Sequence, residues 1–296
     1  MNAHTEDAYV QMNGCIAISN LVYFCSLNRS RVAAEDGIDA VVRAMQAHLD
    51  DAAVQDSACA ALVYLCLDDV MNRKHVTELG GLQAVMEAVK THQSDPDVQA
   101  RGFDAIAHIL EDDPENLAIF VGEDGIGTVL EATKVHSRVA NVQNNACVLL
   151  AIMCKDDAET CARIAERGGV DAVILAMRMY VNEPGIQAHG CDALCKMISV
   201  GKNDRVAMRV ASIGGMLEIT KAIWEHEEEK TVVVKGMQAL CCLQKSLTAA
   251  AGKKLFKEGV VKHKVADVVT SARNLHGDDD LVKDCVKSLS KALGIK

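Results

Sequence analysis

The chain has 296 residues, half of them hydrophobic but only 3% aromatic, with three prolines and a net charge of −10. Such an acidic surface repels phosphate, so the composition argues against a nucleic-acid binder. No run approaches 18 apolar residues, so no membrane-spanning helix is expected either.

The first predicted helix covers about residues 7–25, with Val10, Cys15, Ile18 and Leu21 along one side. From there the sequence repeats. A glycine before an apolar residue recurs at Gly37, Gly81, Gly125, Gly169, Gly215 and Gly259, in steps of 44, 44, 44, 46 and 44. An independent column, Val10, Val54, Val98, Val142, Ile186 and Val232, steps by 44 four times and then 46. Both columns place a two-residue insertion between the same two units, so they report one periodic architecture.

Each unit is predicted to hold three helices. A short one follows an aspartate pair (Asp68-Asp69, Asp112-Asp113, Asp156-Asp157) suited to N-capping. Gly80-Gly81 or its equivalent ends it. A second helix follows, with Leu82, Val85, Met86 and Val89 on its apolar face. After a polar turn comes the longest helix, with apolar positions such as Val142, Cys147, Leu150 and Met153. The first predicted helix is in the register of this third type, and 248–294 forms a weaker last unit.

This 44-residue unit of short helix, Gly-Gly, helix, turn and long helix, with Val-Gln opening the last, resembles the armadillo repeat. The resemblance implies an all-α, right-handed superhelical solenoid of three-helix repeats, in which each unit buries its apolar face against its neighbours. One domain over 1–296 is expected: a lone third helix in 1–27, five full repeats in 28–247 and a degenerate repeat in 248–296. Family members commonly bind proteins along a concave groove lined by third helices.

The repeat also explains residues that would otherwise suggest chemistry. Cys15, Cys59, Cys147 and Cys191 share a slot with Phe103 and Met237, which a core position tolerates and a catalytic thiol does not. The adjacent Cys241 and Cys242 face different ways on a helix and are not expected to bridge. His48, His92, His136 and His226 fall at the end of the second helix, where terminal carbonyls need donors. Gln11, Gln55, Gln99, Gln143 and Gln187 are expected to tie neighbouring units together. No phosphate loop, nucleophile elbow or metal motif remains, so no catalysis, metal or cofactor is expected.

Peptide-binding members of the family carry a tryptophan and, four residues on, an asparagine on the exposed face of the third helix. Here only Asn20 matches, and the single tryptophan, Trp224, lies in a second helix. The resemblance instead places Asn13, Asn20, Tyr64, Arg101, Asp104, His108, Asn145, His189, Asp192, Lys196, Lys235 and Gln238 on that face. This mixed, nearly neutral surface suits a protein or peptide partner held as an extended segment or helix. The alternative function is a structural subunit docking through its ends or convex face. From Ala8 to Cys25 the first helix carries no charge and several apolar residues off its core stripe, which suggests contact with a second copy or with another partner. The alternatives for that end are that the chain is a fragment of a longer array or that residues 1–7 fold back as a minimal cap. Glu6 and Asp7 do not fit a secretory leader, and twelve cysteines suit a reducing compartment, so the expected location is cytoplasmic or nuclear.

Overall fold

The computed structural model describes residues 1–155, 157–200 and 204–293. Asp156, in the third aspartate pair, lies outside them. The described residues form nineteen helices and no strand, and none of these helices is long and apolar enough to cross a membrane. The chain divides into two compact units, Met1–Asn145 and Ala146–Lys296.

The first unit starts with α1 (Ala8–Val22), followed by α2 (Ser26–Ala34), α3 (Gly37–Ala47) and α4 (Ala52–Cys66). Next come α5 (Val70–Glu78), α6 (Gly81–Thr91) and α7 (Pro96–Leu110), then α8 (Pro114–Gly122), α9 (Gly125–Val135) and α10 (Ala140–Met153), which contains the boundary. The second unit adds α11 (Ala158–Glu166), α12 (Gly169–Met179), α13 (Pro184–Ser199), α14 (Asp204–Ser212), α15 (Gly215–Glu225) and α16 (Lys230–Ser246). It ends with α17 (Ala250–Lys262), α18 (Val265–His276) and α19 (Asp280–Leu293). Within the units, α1 packs on α4 and α4 on α7, while α13 packs on α16 and α16 on α19.

The helix boundaries follow from the residues that make them. Asp69 and Asp113 cap their helices by accepting backbone N–H bonds. Their partners Asp68 and Asp112 sit at φ 52° and 56°, a left-handed conformation that a short polar residue tolerates. The paired aspartates therefore do different jobs. So do the paired glycines. Gly80 takes φ 75°, whereas a Cβ on Gly81 would lie 2.4 Å from Val76 Cγ1 and 2.8 Å from its carbonyl oxygen.

The core lies along the expected columns: Cys15, Cys59, Phe103, Cys147, Cys191 and Met237 are all at most 2% exposed. The glutamine column needs a correction. Gln99 Nε2 donates to Val89 O at 2.7 Å and His92 O at 3.1 Å, both at the end of the second helix of its own repeat. Gln55, Gln143 and Gln187 do the same, so these side chains tie a repeat to itself. The tie between repeats is the histidine. His92 Nε2 donates to Leu49 O at 2.7 Å and His136 to Gln93 O at 2.8 Å, each one repeat back. In the second unit His226 reaches Val181 O, and His276, outside the predicted column, reaches Glu227 O.

Residues 1–7 share this register without forming a helix. Gln11 donates to Met1 O and His4 O, and His48 donates to Thr5 O at 2.6 Å. The segment thus supplies the carbonyls that the end of a second helix supplies elsewhere. Met1 also lies against Gly14 as Val89 lies against Gly102.

Candidate functional site

All twelve residues expected on the third-helix face lie on α1, α4, α7, α10, α13 or α16, and none is buried. A third helix shows its neighbours within the unit an apolar stripe. The side chains one position off that stripe are left half-exposed, which is why polar residues survive there.

In the first unit the face is aromatic at one end. The Tyr64 ring meets Tyr23 edge-on at 4.8 Å between centroids, and Tyr23 lies 4.1 Å from Phe24. Asn13 and Asn20 are exposed, and Asn13 Nδ2 donates to Tyr9 O of its own helix. Further along, Arg101 Nε lies 3.6 Å from Asp56, a residue the sequence reading did not select. Asp104 and His108 form a pair at 3.7 Å on α7. Burial holds the Asp56 and Asp104 carboxyls above their usual range, against the pull of nearby cations. Asn145 Nδ2 donates to Ala100 O at 2.9 Å, tying α10 to the α7 backbone.

In the second unit the face is cationic around one acid. Asp192 receives Lys235 Nζ at 2.8 Å and Lys196 Nζ at 3.0 Å. Burial alone would raise its pKa, but the two lysine hydrogen bonds together outweigh it and hold the carboxyl below its usual range. His189 is pushed down, first by burial and then by Lys235 and Lys196, despite Asp192. Gln238 is half-buried.

The signal for these partners is present in the sequence at the right offset. Lys235 and Asp192 differ by 43 positions, and Asn145 and Ala100 by 45, as do Arg101 and Asp56. Searching for opposite charges one repeat away, plus or minus one residue, would have found Asp56. Looking one repeat away also extends the cysteine reading. Cys242 Sγ lies 2.7 Å from Cys195 Sγ on α13, while Cys241 Sγ points to Cys285 O at 3.6 Å on α19. The adjacent cysteines do face different ways, but each meets another cysteine-bearing helix.

Comparison with family models gives a match to the LRRK2 ARM repeat over residues 1–169, more than half of the chain. The chain belongs to the LRRK2 ARM repeat family. Among solved structures, an engineered protein is similar at 18% identity with a TM-score of 0.69, covering 87% of this chain and 97% of that one. A designed armadillo repeat protein aligns at 13% identity and TM-score 0.68, over 86% of this chain and 98% of that one. A structure described as showing a phosphorylation switch that controls the interaction between cadherin and beta-catenin aligns at 15% identity and TM-score 0.55. That alignment covers 95% of this chain and 57% of the other. At such identities these structures share the armadillo fold. Comparison with curated proteins gives no match.

Proposed function

We propose that this armadillo repeat chain is a non-catalytic scaffold that holds a segment of a partner protein against its third helices. The supporting observation is the contrast between slots on those helices. The core columns are filled by interchangeable Cys, Phe and Met, while the neighbouring half-exposed slots carry polar and aromatic residues, of which Arg101, Asn145, Asp192, Lys235 and Tyr64 are held by contacts about one repeat away. Preorganised polar groups lose little freedom on binding, which is the economy a binding face needs. The family also contains many protein-binding scaffolds, and the beta-catenin structure is described in terms of its interaction with cadherin. We read 1–296 as one repeat array, on the strength of its helix order, and place it in the cytoplasm or nucleus because of its free thiols.

A second reading, docking through an end, has its own observation. Phe24 is 81% exposed, Tyr9 72% and Leu27 59%, all at the α1 end. A second copy of the chain or a different protein would cover them.

Capture from native lysate separates these readings. Wild type is compared with Lys196→Glu/Lys235→Glu, with Phe24→Asp and with Lys74→Glu on an outer helix, all checked for an unchanged circular dichroism spectrum. The scaffold reading expects partners lost only from the lysine double variant. Identical partner sets for wild type and that variant would refute it, and loss confined to Phe24→Asp would favour the end.

A further inference from the structure

Three cysteine pairs converge in the second unit. Cys154 and Cys161 are neighbours at the α10–α11 junction, where both are buried. Cys241 approaches Cys285 but is itself buried. Only Cys195 and Cys242 combine facing sulfurs with two half-buried partners. Cys285 is half-buried too, but its partner Cys241 is buried, so Cys195–Cys242 is the pair in which neither sulfur is shut away from a peroxide. We propose that Cys195 and Cys242 form a reversible dithiol site, oxidised by peroxide to a disulfide that staples α13 to α16 beside Lys196.

The geometry needs little adjustment. The sulfurs are 2.7 Å apart, and a disulfide bond of about 2.05 Å requires them to close by about 0.7 Å. The two thiols are also electronically unequal. The hydrogen bond from Cys195 stabilises the Cys242 thiolate, with help from Lys245 and from Ser199, against the opposing effect of burial. Either sulfur can donate in that contact; with the proton on Cys195, the Cys195 thiol is pushed up, by the bond first and by burial second. One sulfur is thus a nucleophile and the other holds a proton next to it.

The reaction balances with peroxide as the only co-reactant. Cys242 thiolate attacks a peroxide oxygen, the O–O bond breaks, and hydroxide leaves to take up a proton as water. The resulting Cys242 sulfenic acid is attacked by Cys195 sulfur; the S–S bond forms, the S–O bond breaks, and the Cys195 proton departs with the oxygen as a second water. Two thiols are oxidised and one peroxide is reduced. A thiol reductant reverses the link by exchange. Because the link joins residues 47 apart on neighbouring third helices, it fixes the spacing of the Asp192–Lys196–Lys235 face. It forms whether or not that face takes a partner, so its test is independent of the scaffold reading.

Full-length reduced protein is treated with hydrogen peroxide, quenched, and its thiols titrated in denaturant alongside non-reducing peptide mapping. The thiol count is expected to fall from 12 to 10, with Cys195 joined to Cys242 in a monomer and full recovery on reduction. Cys195→Ser should leave a sulfenic acid at Cys242 that dimedone traps, and Cys241→Ser should leave the link intact. A dominant Cys241–Cys285 or Cys154–Cys161 bridge, an intermolecular link, or no thiol loss would overturn the proposal. So would a Cys195–Cys242 link that forms no faster in the folded protein than in denaturant.

Discussion

The two units share their internal ties and differ in what they put on the third-helix face. In Met1–Asn145 the third helices α1, α4 and α7 begin at Asp7, Asp51 and Asp95, whose carboxylates accept backbone N–H bonds. In Ala146–Lys296 the helices α13 and α16 begin at Glu183 and Glu229, which make no side-chain cap. The face of the first unit is aromatic with carboxyls held above their usual range, and that of the second is a Lys–Asp–Lys cluster with a dithiol. Glutamine and histidine ties occur in both, although Val233 takes the glutamine slot on α16 and Tyr180 the histidine slot after α12. Architecture therefore resides in backbone carbonyls reached from fixed slots, which leaves the face free to vary.

The largest expected effect tests the shared part. Gln99→Leu and Gln187→Leu each remove one buried and one part-buried hydrogen bond from the end of a second helix. Each should cost roughly 1–3 kcal/mol, since the stranded carbonyls keep their desolvation penalty. Urea unfolding should show losses of similar size in the two units. A full loss in one and none in the other would break the claim that the tie is the same device throughout.

A smaller effect separates the faces by pH. The Asp192 carboxyl is held below the ordinary aspartate value of 3.8, so it contributes stability above that pH and loses it as pH falls through the depressed pKa. Asp192→Asn should therefore destabilise at neutral pH, and the difference from wild type should shrink below pH 3.8. Asp104 has the opposite sign. Its carboxyl is raised above 3.8 by burial, so the folded state is penalised once pH rises past that window. Asp104→Asn should be neutral or stabilising at pH 7, with the gain absent in acid. Unfolding curves from pH 3 to 7 check both signs, and equal signs would erase the contrast.

The repeat and its core were legible because identical residues recur at a fixed step. What the step does not show is direction. The glutamine column repeats every 44 residues whether its amide reaches back 10 positions within a repeat or across to the next one. The histidine column likewise hides a partner 43 residues earlier. The two roles were expected the other way round, since each side chain has carbonyls in both directions and only the packing of helices decides between them. His276 was missed because the last unit is longer between its second helices. Val265 and Gly215 open those helices 50 residues apart. Face residues were legible as a register, whereas their partners required looking about one repeat away, with up to three residues of slack.

The smallest expected effect concerns Phe24, where the regularity fails. It occupies the slot of Asp68 and Asp112, with φ 52°, and it is 81% exposed. A left-handed conformation costs an ordinary residue about 1 kcal/mol, which aspartate offsets by local hydrogen bonding. Exposure returns little of that for Phe24, whose ring touches Tyr23 at 4.1 Å. Architecture alone would favour aspartate here too. Phe24→Asp should thus be neutral or raise stability by about 0.5–1 kcal/mol, while removing any self-association seen by light scattering at micromolar concentration. If the variant were less stable, the Tyr23 contact would be structural and the slot no exception. If stability rises and association falls together, the strained aromatic is retained for contact. The first unit would then carry a docking end as well as the face it shares in outline with the second.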